Sequence, residues 1–203
     1  IQMLVALKPL HDAFCVKHIN VCTYQAVSGS GKDGVEELLQ QSSAYIDQRS
    51  IDKKVYTKQI AFNSIPFVDC FLENNYTREE MKMVWETHKI LDENISVNPT
   101  AVRVPVLVGH AESIYIETEK EIDIELAKNC LNEFAGISVI DDIQEIDFPT
   151  SFEHGHGTDD VYVGRIRKGL SKNNSLNLWV VADNVRKGAA LNSIQIAESL
   201  IRS

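Results

Sequence analysis

Met3, Leu4, Leu7, Leu10 and Phe14 recur at helical spacing in the first fourteen residues, and Pro9 within that run predicts a kink. From Val16 the period changes. Val16, Ile19, Val21, Tyr24 and Val27 stand among β-favouring neighbours and predict a strand over residues 16–27. The cluster Ser28-Gly29-Ser30-Gly31-Lys32-Asp33-Gly34 then leads into a helix through Val35, Leu38 and Leu39. Residues 55–62 and 65–72 read as extended, separated by a turn at Asn63-Ser64 and marked by Pro66. The next helix announces its start, because Thr77 followed by Glu80 fits a capping box in which each side chain satisfies a free backbone N–H. Met81, Val84, Trp85, His88 and Leu91 share one face behind it.

After Pro99 an extended run from Val102 to Val108 is followed by alternation through Ile114, Ile116 and Thr118. Residues 121–134 predict a helix. Val161, Val163 and Ile166, then Leu176 to Val181, predict two strands joined by a turn near Lys172-Asn173-Asn174. Residues 185–201 predict a terminal helix with Asp183 or Asn184 as its cap. Strands and helices mix without regular βαβ alternation, and no linker or internal repeat appears. The expectation is one α+β domain.

Composition narrows the function classes. Across 203 residues, 44% are hydrophobic and 24% charged, which is ordinary for a globular protein and excludes disorder, collagen and a coiled-coil rod. Twenty Lys and Arg against 29 Asp and Glu give a net charge of −9, a surface that repels phosphate backbones and anionic lipid. No nucleic acid and no membrane are expected as partners. The longest apolar runs, Met3 to Leu7 and Leu178 to Ala182, fall far short of the ~20 residues of a membrane span. No signal-peptide pattern opens the chain, so a soluble, cytoplasmic protein is expected. Cys15, Cys22, Cys70 and Cys130 have no regular spacing and are expected to be reduced and mostly buried. The chain starts at Ile1 rather than Met, as a processed or incomplete chain does.

Candidate chemistry is uneven in quality. Gly29-Ser-Gly31-Lys-Asp-Gly34 matches G-x-G-x-x-G after a strand and before a helix, but Thr23, Tyr24 and Gln25 are too polar for a strand buried on both faces. A flexible turn is the plainer reading, and a P-loop fails on Ala26 and Asp33. His154 and His156 with Asp159 and Asp160 resemble a metal set only loosely, without H-E-x-x-H or a Cys/His ladder, so no metal is expected. Lys82, Glu86, Lys89 and Glu93 lie on one helical face, by default a solvated stripe. Arg103 and His110 bracket a stretch that is otherwise Val, Pro, Leu and Gly. Arg offers a forked donor to a carboxylate, His exchanges a proton near neutrality, and Gly109 leaves the backbone open to a ligand. Together they point to a site for an acidic substrate. No cysteine has a neighbouring His and no G-x-S-x-G is present, so the chain carries part of an active site.

Several ordered segments carry a resemblance. Thr23-Tyr24-Gln25-Ala26-Val27-Ser28-Gly29, Glu86-Thr87-His88-Lys89-Ile90-Leu91 and Arg103-Val104-Pro105-Val106-Leu107-Val108-Gly109-His110 resemble the aspartate-semialdehyde dehydrogenase family. So do Asp160 to Arg167 and Asn177 to Asn184. The resemblance covers essentially the whole chain and only the later part of that enzyme. It implies a largely antiparallel mixed sheet with helices on one face, residues 1–184 as catalytic and dimerisation domain, and residues 185–203 as a closing helix on an NADP-binding domain upstream. The family's nucleophilic cysteine directly precedes a helix like Ile1 to Phe14, so none of the four cysteines inherits that role and this chain alone is expected to be inactive.

Residue by residue, the resemblance makes His110 the general acid/base and Gln25 the group that positions substrate beside the thiol. Arg103 would hold the substrate carboxylate, Glu86 its ammonium, and Lys89 the phosphate. Ser28, Gly29 and Asn184 would touch NADP, and Gly188, Ala189 and Ala190 would let the last helix pack closely. The implied reaction reduces aspartyl phosphate to aspartate semialdehyde with release of inorganic phosphate, through a thioester that accepts hydride from NADPH, and belongs to lysine, threonine and methionine biosynthesis. A homodimer is implied. Ala111 departs from the Ser expected after the histidine, and the Ser151-to-His156 loop also differs. Two alternatives stay open at this point, a non-catalytic dimerisation module and a self-contained dinucleotide binder.

Overall fold

The computed structural model describes residues 1–202. Its six strands are β1 (Val16–Gln25), β2 (Ser96–Arg103), β3 (His110–Thr118), β4 (Ile137–Val139), β5 (Val161–Lys168) and β6 (Ser175–Ala182). They form one sheet in the order β2-β1-β3-β6-β5-β4. The three inner pairings are antiparallel, whereas β1–β2 and β4–β5 at the two edges are parallel. This is the expected α+β architecture.

Strand alternation sorts the two faces. Ile19 and Val21 of β1, Ile114 and Ile116 of β3, and Leu176, Leu178 and Val180 of β6 point into the core. Helix α1 (Gln2–Phe14) covers them with Met3, Leu4, Leu7, Leu10 and Phe14, and continues through the buried Pro9. Helix α4 (Ile124–Glu133) adds Ala127 and Leu131 beside it. On the opposite face Cys22, Tyr24, Ser113, Tyr115, Asn177 and Trp179 remain half-buried. The rings of Tyr24 and Trp179 stand 5.4 Å apart there.

Helix α2 (Gly31–Ile46) follows a short 3-10 turn at Val27–Ser30. Its buried Glu37 and Gln41 do unusual work for helix side chains, because they order the next segment. Glu37 accepts from the backbone N–H groups of Lys54, Val55 and Tyr56, and Gln41 Oε1 accepts from those of Ile60 and Ala61. Residues 55–72, expected to be extended, are therefore a folded loop with only isolated bridges, Ile65 to Arg103 and Phe71 to Thr77.

The capping box stands as expected. Glu80 N–H donates to Thr77 Oγ1 at 3.2 Å, and Thr77 N–H to Glu80 Oε2 at 2.7 Å, at the start of α3 (Arg78–Ile90). The expected apolar face does not hold, however. Trp85 is half exposed, while Glu80 and Thr87 are the buried positions, because Glu80 also accepts from Ala101 N–H of β2. Thr77→Ala is expected to cost about 1–2 kcal/mol, the usual loss for an N-cap. A urea midpoint unchanged by the substitution would refute it.

Other expectations shift. Residues 102–108 do not form one strand, since β2 ends at Arg103 and β3 begins at His110. All four cysteines are free and half-buried rather than buried. Residues 185–201 divide into a π-helical turn, Arg186–Ala190, and α5 (Leu191–Arg202). Asp183 is the residue that caps this end, its Oδ1 accepting from Val185 and Arg186 N–H at 2.8 Å each.

Candidate active site

Residues 104–109 break the strand for local reasons. Pro105 has no N–H to give a ladder, and Gly109 turns at φ +91, where an added Cβ would stand 2.4 Å from the Ser151 carbonyl. The irregular stretch still follows β1: Val104 donates to the Gln25 carbonyl at 3.0 Å, and Val27 to that of Val106 at 2.8 Å. The ends of β1 and β2 and the start of β3 thereby meet. Arg103 and His110 are thus not the two ends of one strand, as their spacing suggested, but neighbours across a loop.

Ala26 joins them. Its carbonyl accepts from Arg103 Nη1 at 2.7 Å, and its N–H donates to His110 Nδ1 at 3.1 Å. Gly29 lies against both groups, since a Cβ there would come 2.8 Å from Arg103 Nη1 and 3.5 Å from His110 Nε2. The glycine loop is therefore closed against this site and is not an open phosphate cradle of its own.

The electrostatics of the pair follow from burial. Arg103 is only 6% exposed, and desolvation holds its guanidinium below the usual range against the opposing pull of Tyr56 and Glu79. His110 is pushed down to about 3, first by burial and then by Arg103, with Asp183 acting the other way. A ring whose Nδ1 accepts an amide proton and which stays neutral carries its own proton on Nε2. That nitrogen faces Gly29. His110 is set as a neutral donor.

Gln25, at the end of β1, is buried and gives Nε2 to Glu79 Oε1 at 3.1 Å. Glu79 pairs with Lys82 at 3.2 Å, and Lys82 lies 3.9 Å from Asp69. Asp69 adopts a left-handed backbone, φ 73, and with Ser30, Tyr56, Thr57 and Phe67 lines a cavity of about 140 Å³ beside Arg103. Glu86 and Lys89 are exposed and take no part in this group. They lie seven residues further along α3, about 10 Å at helical rise. The expectation for them is corrected: Glu79 and Lys82 repeat the same Glu-x-x-Lys spacing two turns earlier, at the end of the helix that meets Gln25.

Ser28 and Asn184 do come together. Asn184 Oδ1 accepts from Gly109 N–H at 2.9 Å, and its Nδ2 donates to Ser28 Oγ at 3.0 Å, which ties the end of β6 to the loop beside His110. Asp183 and Asn184 thus divide the tasks, the first capping and also holding Gly157 N–H at 2.8 Å, the second facing the site. Ala111 points to the sheet face opposite His110, so its replacement of Ser does not touch the ring from within the site. Gly188, Ala189 and Ala190 lie in the π-helical turn and at its end.

No cluster of three or more metal-ligating side chains exists among the described residues. His154 is engaged locally, its Nδ1 accepting from Thr150 N–H at 3.1 Å. No helix among the described residues is long and apolar enough to cross a membrane.

A sheet of this order, with Arg and His held at its end by one alanine, has clear counterparts. A family model described as "Semialdehyde dehydrogenase, dimerisation domain" matches residues 7–187, and the chain belongs to that family. Its relatives are aspartate-semialdehyde dehydrogenases. The enzyme of Shewanella sp. (strain DB6705) is 57% identical over 203 residues, all of this chain and 60% of the relative. That of Legionella pneumophila is 51% identical over all of this chain and 58% of the relative. A crystal structure of aspartate semialdehyde dehydrogenase II from Vibrio cholerae, complexed with ASA, superposes with a TM-score of 0.97 at 51% identity, covering 100% of this chain and 60% of that one. The chain thus spans about 60% of the length of these relatives.

Proposed function

We propose that this chain is the catalytic and dimerisation part of an enzyme interconverting aspartyl 4-phosphate and NADPH with aspartate 4-semialdehyde, NADP and inorganic phosphate. The observation that carries the reading is the clamp at Ala26, which holds a buried guanidinium and a neutral imidazole at one end of the sheet. Arg103 binds the substrate carboxylate. Glu79, already an acceptor for Gln25, takes the ammonium, and Lys82 takes the phosphate, the roles that the family resemblance laid on Glu86 and Lys89. Gln25 holds the substrate between Glu79 and the reacting carbonyl.

His110 serves through Nε2, donating to the oxygen that becomes negative as the carbonyl is attacked. The donating half of its acid/base role fits the hydrogen bond at Nδ1. The accepting half requires the other tautomer and release of Ala26 N–H. The thiol and the dinucleotide domain belong to residues outside these 203. In support, α1 lies against the site: Gln2 Nε2 donates to the His110 carbonyl at 3.3 Å.

The dinucleotide would supply the redox chemistry, its reduced form NADPH being the hydride donor in the direction of the semialdehyde and NADP the acceptor in reverse. The backbone at Gly29 and the side chains of Ser28 and Asn184 fit its nicotinamide end, being polar, adjacent to His110 and fixed by one another. Exposed Ile194, Ile196, Leu200 and Ile201 on α5 support its closing on the dinucleotide domain. The half-buried aromatic sheet face supports pairing with a second copy, and the same reading assigns the enzyme a cytoplasmic biosynthetic role.

The test is an NADP-reduction assay with aspartate semialdehyde and phosphate, run on a chain extended upstream of Ile1 and on the 203 residues alone. Turnover is expected only from the extended chain. Turnover by the short chain, or by neither, overturns the reading.

A further inference from the structure

Two carboxylates face the Lys82 ammonium, and only one of them is engaged. Glu79 Oε1 accepts from Gln25 Nε2 at 3.1 Å, and its Oε2 accepts from Lys82 Nζ at 3.2 Å. Asp69 Oδ2 stands 3.9 Å from the same Nζ, beyond hydrogen-bond range, and no group among the described residues donates to its carboxylate.

The backbone sets Asp69 in this place. Ile65 and Arg103 exchange two main-chain hydrogen bonds, at 2.9 and 2.8 Å, and the Cys70 carbonyl accepts from Arg78 N–H at 2.8 Å in the first turn of α3. Between these two anchors Asp69 takes its left-handed φ of 73, a conformation that Asp and Asn tolerate better than most residues. The segment thus runs from the end of β2 to the start of α3 and holds a carboxylate between Arg103 and Lys82. Arg103 is the only other charged group lining the cavity there, and its Nη1 is already given to the Ala26 carbonyl.

This arrangement has a chemical consequence for any anion on Lys82. One ammonium facing two carboxylates has no charge to spare for a fully deprotonated anion. A carboxylate is an acceptor only, so it repels an oxygen that also has only lone pairs to offer. An oxyanion that keeps a proton reverses the interaction, because its O–H donates to the carboxylate in a short, charge-assisted bond. Phosphate keeps at least one proton near neutral pH. Sulfate has the same tetrahedral shape and keeps none.

We propose that Asp69 determines the selectivity of the oxyanion subsite at Lys82, accepting a hydrogen bond from phosphate and excluding sulfate. The inference rests on the dehydrogenase reading above, which sets phosphate on Lys82 and the substrate ammonium on Glu79. It gives a role to the carboxylate that this reading leaves unused.

The test measures the KM for phosphate and the competitive Ki of sulfate against it, in NADP reduction with aspartate semialdehyde by the full-length dehydrogenase. In the wild type the Ki of sulfate is expected to lie about 100-fold or more above the KM of phosphate. In Asp69→Asn, whose amide donates to either anion, and in Asp69→Gly, which removes the repulsion and accepts the positive φ, the ratio is expected to fall below about tenfold. A merely structural role moves both constants together and leaves their ratio alone. A ratio near one in the wild type, or a ratio unchanged in both variants, overturns the proposal. Lys82→Met is expected to raise the KM for phosphate by about tenfold or more, the usual loss of a charged hydrogen bond, and an unchanged KM overturns the proposal by setting phosphate elsewhere. Phosphate-dependent turnover accompanies each of these failures. If the wild type shows none, the dehydrogenase reading itself falls, and the subsite with it.

Discussion

His110→Asn in the full-length dehydrogenase is expected to lower kcat by about 10²–10⁴-fold, the range for loss of a proton-donating group, with KM for the semialdehyde changed only a few-fold. The substitution is chosen for what it keeps. Asparagine Oδ1 still accepts from Ala26 N–H, as Nδ1 does at 3.1 Å, so the clamp with Arg103 persists. What disappears is the Nε2 proton facing Gly29. Steady-state kinetics with aspartate semialdehyde and phosphate provide the measurement. A kcat within threefold of wild type would show that the oxyanion is served by another group. A KM rise with constant kcat would place His110 in ground-state binding instead.

The second large effect lies in stability against pH. His110 is lowered to about 3 and Glu112 raised to about 7 in the folded chain, from ordinary values of about 6.5 and 4.3. The signs oppose. Below pH 6.5 the unfolded chain protonates the histidine and the folded chain does not, so the His110 contribution is lost as pH falls. Above pH 4.3 the unfolded chain ionises the glutamate and the folded chain does not, so the Glu112 contribution is lost as pH rises toward 7. Between roughly pH 4.3 and 6.5 each slope approaches 1.36 kcal/mol per unit, and the two cancel. Removing one group should uncover the other. Relative to wild type, E112Q is expected to lose about 3 kcal/mol from pH 6.5 to 4.3, and H110N to lose about 3 kcal/mol in the reverse direction. Urea unfolding of the 203-residue chain at several pH values reads both. Parallel profiles for the three proteins would remove the linkage.

The sequence made some of this plain and hid the rest for definable reasons. Thr77 and Glu80 were legible because a capping box is local, closed within four residues. The strands β5 and β6 were legible because alternation survives between their turns. Residues 55–72 were not, since their order is imposed by Glu37 and Gln41 from a helix that precedes them. The three residues of β4 are too few to show a period. Arg103 and His110 stood out as polar marks around an apolar stretch. Their true relation depends on Pro105 and Gly109 breaking that stretch. α3 repeats one charge pattern after seven residues, so Glu86 and Lys89 read like Glu79 and Lys82 until the contact of Glu79 with Gln25 distinguishes the earlier pair. In Glu112 to Ile116 the inward positions carry Glu, Ile and Ile, and a carboxyl in that register is out of place.

The order in which strands lie has a consequence for how the chain acquires its shape. Central β3 pairs with β1, which precedes it by a long helical excursion, and with β6, which is made some seventy residues later. Few of these pairings are local, so folding waits on distant loop closure and is slow compared with that of a helical bundle of similar size. During synthesis α1 and β1 are made before the rest of this sheet and have no complete sheet to join until Ala182 is free of the exit tunnel. The link from Ser28 to Asn184 spans 156 residues. The last stitch of the fold is also the one that closes the site.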